Sequence, residues 1–378
     1  MSSLLERNGS PTLKDVLPAA LQALGLGGPS SALIIRESRH VVVLLVDGLG
    51  ELQLQKFIEH APIFELASGG SIQTEFPSTT PVALGSLGTG LHPGGHGLVG
   101  ASFWLPEEMQ LLAPLKWGSD PHPLSVIPES TLFEYARDQG VSVSTVAPAK
   151  HKFSGLTRSV LRGSDYFGAD NTAEIVETFR ERQAHLRTIQ NKGLTYIYWP
   201  DLDRLGHIYG VGSDQWLEGL RMVNSLVSLL REELTSSDTL LVTSDHGMVV
   251  CPPENRIAIE QHQMLMEGVR LIGGEPRVRH VYVQPGAQSD VVSAWRSVLG
   301  TRAMVLTRQE SMDGNLFEID DDAFADRVGD VVVVAADNFT LSSTNDPLSS
   351  ALLGQHGSLT PDEMIIPLKI FTRGDSIE

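Results

Sequence analysis

The sequence predicts an α/β fold, with a mostly parallel central sheet flanked by helices and a smaller inserted α+β lobe. Two observations predict the sheet. Apolar strand-like runs alternate with amphipathic helical stretches through the first 250 residues, which is typical of strand–helix–strand units. The run at 41–46 is also wholly apolar and rich in valine, as expected of a strand that is covered on both faces.

The other elements follow the same alternation and are joined by right-handed crossovers. We predict strands at 141–146, 194–199 and 239–243 and helices at 131–139, 173–190 and 215–234. The pattern changes after residue 252, where turns separate a strand at 280–283, a helix at 289–298 and a strand at 331–335. We therefore assign residues 1–251 and 346–378 to the core and residues 252–345 to the inserted lobe.

Composition excludes several classes of partner. The chain has 28 Lys+Arg against 46 Asp+Glu, a net charge of −18, which argues against binding nucleic acid polymers or anionic membranes. The single cysteine, Cys251, excludes an intramolecular disulfide and a cysteine-rich metal site. No apolar run approaches the roughly 20 residues of a membrane span, and no signal peptide is evident. We therefore expect a cytoplasmic protein, of undetermined oligomeric state.

Two polar positions stand where an α/β sheet would use them. Asp47 directly follows the first predicted strand, where open parallel sheets bind ligands, and it is either a cation ligand or a helix cap. Thr80 precedes Pro81, which marks a helix start with Thr80 as the N-cap. The same geometry would aim the hydroxyl at a phosphate. Small residues at Gly85 and Gly88 would let this helix pack closely beneath the site.

Asp203 and His207 form a second pattern. They stand four residues apart, so one helical turn would place both within reach of a single ion. Asp201 is a nearby rival, and a solvated helix face is the alternative to a metal pair.

Two histidine motifs complete the set. Asp245 and His246 follow the predicted strand at 239–243, and they can reach one metal only if the strand has ended and the backbone curls. His356 lies between two glycines on a flexible loop. Each motif alone is equally compatible with a solvated turn.

In this order the motifs resemble those of the alkaline phosphatase superfamily, and within it the type I phosphodiesterase/nucleotide pyrophosphatase family. The motifs are a strand followed by Asp-Gly, then Phe-Pro-x-x-Thr, Asp-x-x-Gly-His, Ser-Asp-His-Gly-Met and Gly-x-His-Gly. They cover roughly residues 40–250 and 350–370, so the lobe lies outside the resemblance. In this superfamily such a lobe often covers the site and sets substrate choice.

The resemblance implies two divalent metal ions per chain, with Zn²⁺ expected from the Asp/His ligands and Mn²⁺ as the alternative. One ion would be held by Asp203, His207 and His356, and the other by Asp47, Asp245, His246 and Thr80. Thr80 would be the nucleophile, forming a phospho-threonine intermediate. The implied reaction is hydrolysis of phosphodiester or pyrophosphate bonds in a small phosphorus-containing substrate such as a nucleotide. The alternatives are a phosphonate (phosphonoacetate-like) or phosphomonoester hydrolase on the same two-metal core, and a binding protein without activity.

Substrate contacts are less defined. The family's phosphoryl-binding Asn, twenty-one positions beyond the nucleophile, falls on Ala101. Either another donor replaces it, for which the neighbouring Ser102 is our candidate, or the substrate differs. Lys150 and Lys152 are similar to the Lys-x-Lys pair with which phosphonoacetate hydrolase binds its substrate carboxylate, although a solvated loop explains them equally. The contacts expected from the lobe are Arg277, Arg279 and His280, with solvated surface as the alternative.

Overall fold

The computed structural model describes residues 10–319 and 322–373. The ends of the predicted core, residues 1–9 and 374–378, and residues 320–321 of the predicted lobe lie outside the described residues. The strands are β1 His40–Val46, β2 Ser68–Gln73, β3 Phe103–Leu105, β4 Gln110–Leu112, β5 Ser142–Ala147, β6 Asp165–Gly168, β7 Gly193–Trp199, β8 Asp238–Thr243, β9 Val249–Val250, β10 Arg256–Ala258, β11 Val269–Glu275, β12 Val278–Val283, β13 Ala303–Thr307, β14 Val331–Ala335, β15 Thr340–Ser342, β16 Gly354–Gln355 and β17 Ile365–Phe371. The helices are α1 Val16–Ala23, α2 Glu51–Lys56, α3 Thr80–Thr89, α4 Pro93–His96, α5 Pro123–Val126, α6 Leu132–Asp138, α7 Gly155–Val160, α8 Thr172–Ile189, α9 Asp201–Tyr209, α10 Asp214–Glu232, α11 Gln263–Met266, α12 Gln288–Leu299, α13 Arg308–Asp313, α14 Pro347–Ala351 and α15 Pro361–Met364.

Seven strands form the central sheet, in the order β2-β17-β8-β1-β7-β5-β6. The five strands from β8 to β6 run parallel, while β17 is antiparallel to both of its neighbours, β8 and β2. Helices cover both faces of the sheet. The fold class predicted from the sequence, a mostly parallel central sheet flanked by helices, is confirmed.

Strand β1 shows why its apolar run is continuous. Val41, Val43 and Leu45 belong to a buried cluster shared with α1, α3 and α6. The alternate residues Val42, Leu44 and Val46 belong to a second cluster, which includes Phe179 of α8 and Trp216 of α10. Successive side chains of a strand point to opposite faces, so a strand between two helical layers needs apolar residues at every position.

A separate antiparallel sheet, in the order β11-β12-β14-β13, lies beside the main sheet. Strand β14 contributes Val331 and Val333 to a local cluster with Trp295 of α12. Its alternate residues, Val332 and Val334, pack in the same cluster as β1. We propose that this sheet and its helices form the inserted lobe of residues 252–345. None of the helices in the described part of the chain is both long and apolar enough to span a bilayer.

Helix α3 packs against its neighbours through glycine, as the sequence predicts. A Cβ atom added to Gly88 would lie 2.1 Å from the carbonyl oxygen of Val160, at the end of α7. A Cβ atom added to Gly85 would lie 2.5 Å from the His96 ring. The backbone of α3 is therefore held close to the elements beneath it.

Gly88→Ala should lower the free energy of unfolding by about 1–3 kcal/mol, because the new methyl group collides with a backbone carbonyl that cannot turn away. Urea unfolding measures the change. Gly118→Ala is the control, since a Cβ at Gly118 meets nothing within 4 Å. Equal stability of the two variants would show that α3 and α7 are not in close contact.

Candidate metal centre

The predicted ligands meet at one edge of the central sheet. Asp47 follows β1, α9 with Asp203 and His207 follows β7, and Asp245 follows β8. The three strands are parallel neighbours, so their carboxyl ends lie side by side. This edge is where open parallel sheets bind ligands.

Asp203, His207 and His356 form the first group. Their potential ligand atoms all lie within 4.8 Å of one another. Nε2 of His207 is 3.3 Å from Oδ2 of Asp203 and 3.2 Å from Nε2 of His356, which comes from the loop after β16. The rival Asp201 lies outside the group and instead pairs with Arg204 at 2.9 Å.

Asp47, Asp245 and His246 form the second group, which is buried and equally compact. Nε2 of His246 is 3.3 Å from Oδ2 of Asp245 and 3.6 Å from Oδ1 of Asp47. The backbone curls after β8, as predicted, because the His246 and Gly48 amides both donate to Oδ1 of Asp245 at 3.1 Å. Asp47 is not a helix cap, since Gly50 stands at that position of α2.

The two groups adjoin each other and Thr80. The rings of His246 and His356 stack with centroids 3.6 Å apart, and Oγ1 of Thr80 lies 3.3 Å from Nε2 of His246. The prediction of Thr80 as the N-cap is wrong by one residue, because Thr79 is the extended cap and Thr80 the first helical residue. Pro81 then occupies the second helical position, where an N–H would also lack an intrahelical partner.

All three histidines are oriented alike. Nδ1 faces a backbone carbonyl in each: Gly354 at 2.7 Å from His207, Gly247 at 3.0 Å from His246 and Ser78 at 2.9 Å from His356. A carbonyl oxygen only accepts, so Nδ1 carries a proton, and in the neutral ring the Nε2 lone pair points into the groups. Burial favours this neutral form, since it lowers the pKa of His246 to about 3 and that of His356 well below its usual value.

The carboxylates are crowded and only partly hydrogen-bonded. Burial and then the charges of Asp245 and Asp203 raise the pKa of Asp47 well above its usual value, and burial raises the pKa of Asp203 to about 6. One oxygen each of Asp47, Asp203 and Asp245 is buried without a hydrogen-bond partner among the described residues. Cations would satisfy these oxygens, and mixed Asp/His sets suit Zn²⁺ and related divalent ions. The residues therefore fit two divalent metal ions.

A third compact group, Glu75, His92 and Glu318, has a different character. Both ring nitrogens of His92 face carboxylates rather than carbonyls. Burial opposes the charge on His92, but hydrogen bonds to Glu318 and Glu75 outweigh it and raise its pKa to about 9. A protonated imidazole between two carboxylates explains this group without a metal.

Two positioning contacts were not predicted. The Tyr198 hydroxyl, at the end of β7, donates to Oδ2 of Asp47. Ser78 is fully buried and bonds repeatedly to the His356 loop. Its amide donates to the Gly357 carbonyl at 3.1 Å, its hydroxyl donates to the Ser358 carbonyl at 2.8 Å and accepts from the Gly357 amide at 3.1 Å, and its carbonyl faces His356. In the sequence, Ser78 is one hydroxyl among three adjacent ones.

The substrate contacts predicted in the core, Ser102, Lys150 and Lys152, belong to neither of the two Asp/His groups. The Ser102 hydroxyl donates to the Gly274 carbonyl of β11 at 3.0 Å. Lys150 and Lys152 are solvent-exposed, while His151 between them contacts the Tyr198 ring. Their role in substrate binding stays a prediction.

The substrate contacts predicted from the lobe are wrong, since all three side chains are buried in internal bonds. Arg277 pairs with Glu363 at 2.8 Å and Arg279 with Asp346 at 3.0 Å. Nε2 of His280 lies 2.9 Å from the Val99 carbonyl oxygen.

The chain is similar to known proteins over most of its length. The family model described as type I phosphodiesterase/nucleotide pyrophosphatase matches residues 41–359. The human ectonucleotide pyrophosphatase/phosphodiesterase family member 5 is 32% identical over 100 residues, which are 25% of this chain and 19% of the human protein. The matched segment thus spans about a fifth of that relative's length.

Solved structures share the fold. The murine ectonucleotide pyrophosphatase/phosphodiesterase 5 superimposes with a TM-score of 0.71 at 19% identity, covering 88% of each chain. Its inactive threonine-to-alanine variant in complex with AMP gives 0.70 at the same identity and coverage. The phosphonoacetate hydrolase of Sinorhizobium meliloti, in complex with phosphonoformate, gives 0.67 at 19% identity, covering 90% of this chain and 92% of that chain. Since the family model spans most of its length, the chain belongs to the type I phosphodiesterase/nucleotide pyrophosphatase family.

Proposed function

We propose that this protein hydrolyses phosphodiester or pyrophosphate bonds in a small phosphorus-containing substrate, with Thr80 as the nucleophile. One observation carries the proposal: the Thr80 hydroxyl lies beside His246, where two Asp/His groups with unpartnered carboxylate oxygens meet. The complex of the murine relative with AMP supports a nucleotide as the substrate class.

Two divalent ions would complete the site, Zn²⁺ by the ligand chemistry and Mn²⁺ as the alternative. Asp203, His207 and His356 would hold one, and Asp47, Asp245, His246 and Thr80 would hold the other. Bound cations of this kind lower the pKa of a hydroxyl group and stabilise negative charge on phosphoryl and leaving-group oxygens.

The chemistry at Thr80 proceeds in two displacements. Oγ1 attacks phosphorus while the bond to the leaving-group oxygen breaks, which leaves a phospho-threonine. Water then cleaves the phospho-threonine and restores the hydroxyl, so the configuration at phosphorus is retained overall. The N-terminus of α3 places backbone N–H groups and the positive end of the helix dipole beside the developing charge.

Ser78 fixes the position of the proposed nucleophile, Thr80, relative to the proposed metal ligand His356. Thr80 lies two residues after Ser78, and the four polar functions of Ser78 are all directed at His356, Gly357 and Ser358. The Ser78 hydroxyl already donates one hydrogen bond and accepts another. Ser78 is therefore a positioning residue and not an alternative nucleophile.

A phosphonate or phosphomonoester hydrolase on the same core is the second candidate. The fold similarity to phosphonoacetate hydrolase favours it, as does the Lys150–Lys152 pair at the end of β5. Phosphonoacetate turnover that falls in Lys150→Ala and Lys152→Ala would establish this alternative.

With Zn²⁺ supplied, bis-p-nitrophenyl phosphate should be hydrolysed faster than p-nitrophenyl phosphate or phosphonoacetate.

Thr80→Ala should lower kcat by at least ~10³-fold, because the covalent route is lost. Thr80→Ser keeps the attacking oxygen and should retain measurable turnover. Near-normal activity of Thr80→Ala would remove Thr80 from the nucleophile role.

Asp203→Ala or His356→Ala should each lose about one ion per chain, because three protein ligands are the usual minimum for a divalent ion of this type. Elemental analysis after dialysis measures the ion count. His185→Ala, on the exposed face of α8, is the matched control and should keep two ions. Two ions in all three variants would contradict the ligand assignment.

Ser78→Ala should lower kcat by about 10–100-fold, because displacing the nucleophile by a fraction of an ångström is costly. Ser86→Ala is the control. Ser86 is also fully buried, and its hydroxyl lies 2.9 Å from Nε2 of His96. Each variant should be destabilised by about 1–2 kcal/mol, so similar kcat values in both would show that Ser78 is only structural.

A further inference from the structure

A buried ion pair joins the proposed lobe to the metal centre. Arg277 lies in the turn between β11 and β12, and Glu363 lies on α15, in the segment that follows His356. Both side chains are fully buried. The pair is bidentate, with Nε 3.0 Å from Oε1 and Nη2 2.8 Å from Oε2. Such a pair fixes the relative position of its partners more precisely than a single bond does.

Glu363 reaches both ligand groups through its other bonds. Its Oε1 accepts the Ser358 amide at 2.9 Å, two residues after His356. Its backbone carbonyl accepts the Gly247 amide at 2.8 Å, one residue after His246. A shift of Glu363 would therefore displace the loops of both His356 and His246.

The turn beside Arg277 also touches the nucleophile loop. The carboxyl group of Glu275 interacts with the side chain of Thr79, next to Thr80. A Cβ atom on Gly357 would lie 2.9–3.0 Å from the Glu275 side chain, so the lobe packs directly on the backbone beside His356. The turn thus contacts the chain neighbours of both the nucleophile and a ligand.

A second, partly exposed ion pair nearby lacks these contacts. Arg279, two residues further along, pairs with Asp346 at 3.0 and 3.1 Å and donates to the Leu341 carbonyl of β15. Neither Asp346 nor Leu341 is a predicted site residue. The two pairs therefore share their bidentate chemistry and a buried arginine, although Asp346 is partly exposed, and they differ in what they hold.

We propose that Arg277 and Glu363 are positioning residues for the metal centre, so that the lobe is needed to form the centre itself. The proposal rests on the ligand roles of His246 and His356 in the proposed function. Replacing a buried ion pair by apolar residues is often neutral for stability. We therefore expect the Arg277–Glu363 pair to act by fixing the position of its neighbours.

The test compares two double variants, Arg277→Met with Glu363→Leu and Arg279→Met with Asp346→Leu. Each removes both charges and leaves no unpaired buried ion. The Zn²⁺ dissociation constant is measured by competition with a chromophoric chelator, kcat and KM with bis-p-nitrophenyl phosphate, and stability by urea unfolding.

The first double variant should bind Zn²⁺ ~10–100-fold more weakly, the range known for residues that support metal ligands. Its kcat should fall by about 10-fold or more while KM changes little. The second should stay within about 2-fold of the wild type in all three constants. Unchanged Zn²⁺ binding in the first, or equal losses in both, would overturn the proposal.

Single Arg→Lys variants at positions 277 and 279 serve if the first double variant does not fold, since Lys keeps the charge but not the bidentate geometry. The same difference in Zn²⁺ affinity is expected, and its absence overturns the proposal. A wild-type protein that binds Zn²⁺ but hydrolyses no substrate would refute the proposed function alone. A wild-type protein that binds no Zn²⁺ would refute both.

Discussion

Uncompensated negative charge at the end of the central sheet is the constraint on which the site depends. Asp47, Asp203 and Asp245 bring three carboxyl groups together, and burial and mutual repulsion raise the pKa values of Asp47 and Asp203. His246 and His356 contribute no positive charge, since burial lowers their pKa values and their Nδ1 protons point to carbonyls. Divalent cations are the species whose charge and coordination chemistry fit both halves of this arrangement.

The architecture brings these residues together by simple means. Parallel neighbours β8, β1 and β7 end at one edge, so residues distant in sequence arrive side by side. Site residues outside the sheet are instead held in place by hydrogen bonds between their loops. Ser78 joins the Thr80 loop to the His356 loop, and Glu363 joins the His356 loop to the turn after His246. Several of these bonds are made by the Ser78 hydroxyl and the Glu363 carboxylate, so the relative position of the loops depends on these two side chains.

Much of this could be predicted from the sequence, and the failures have physical causes. The buried strand at 41–46 and helices such as 173–190 are observed within two residues, because their patterns reflect burial in two layers or on one face. Strands β2 and β6 were not predicted, since Ser68-Gly-Gly-Ser and Asp165-Tyr-Phe-Gly pair at the exposed edges of the sheet and need little apolar surface. The proposed ligand residues stood out because their spacing follows strand ends and helical turns. Arg277 and Arg279 were assigned the wrong role, because an arginine buried in an ion pair looks like a solvated arginine until its partner is known.

The position of strand β14 bears on whether the proposed lobe can move. Its alternate valines belong to two different apolar clusters, one inside the lobe and one shared with the central sheet. Swinging the lobe outward on a hinge would expose Val332 and Val334 to water, at a cost of about 1.5–3 kcal/mol for each buried side chain. This apolar contact favours a lobe that stays fixed against the central sheet.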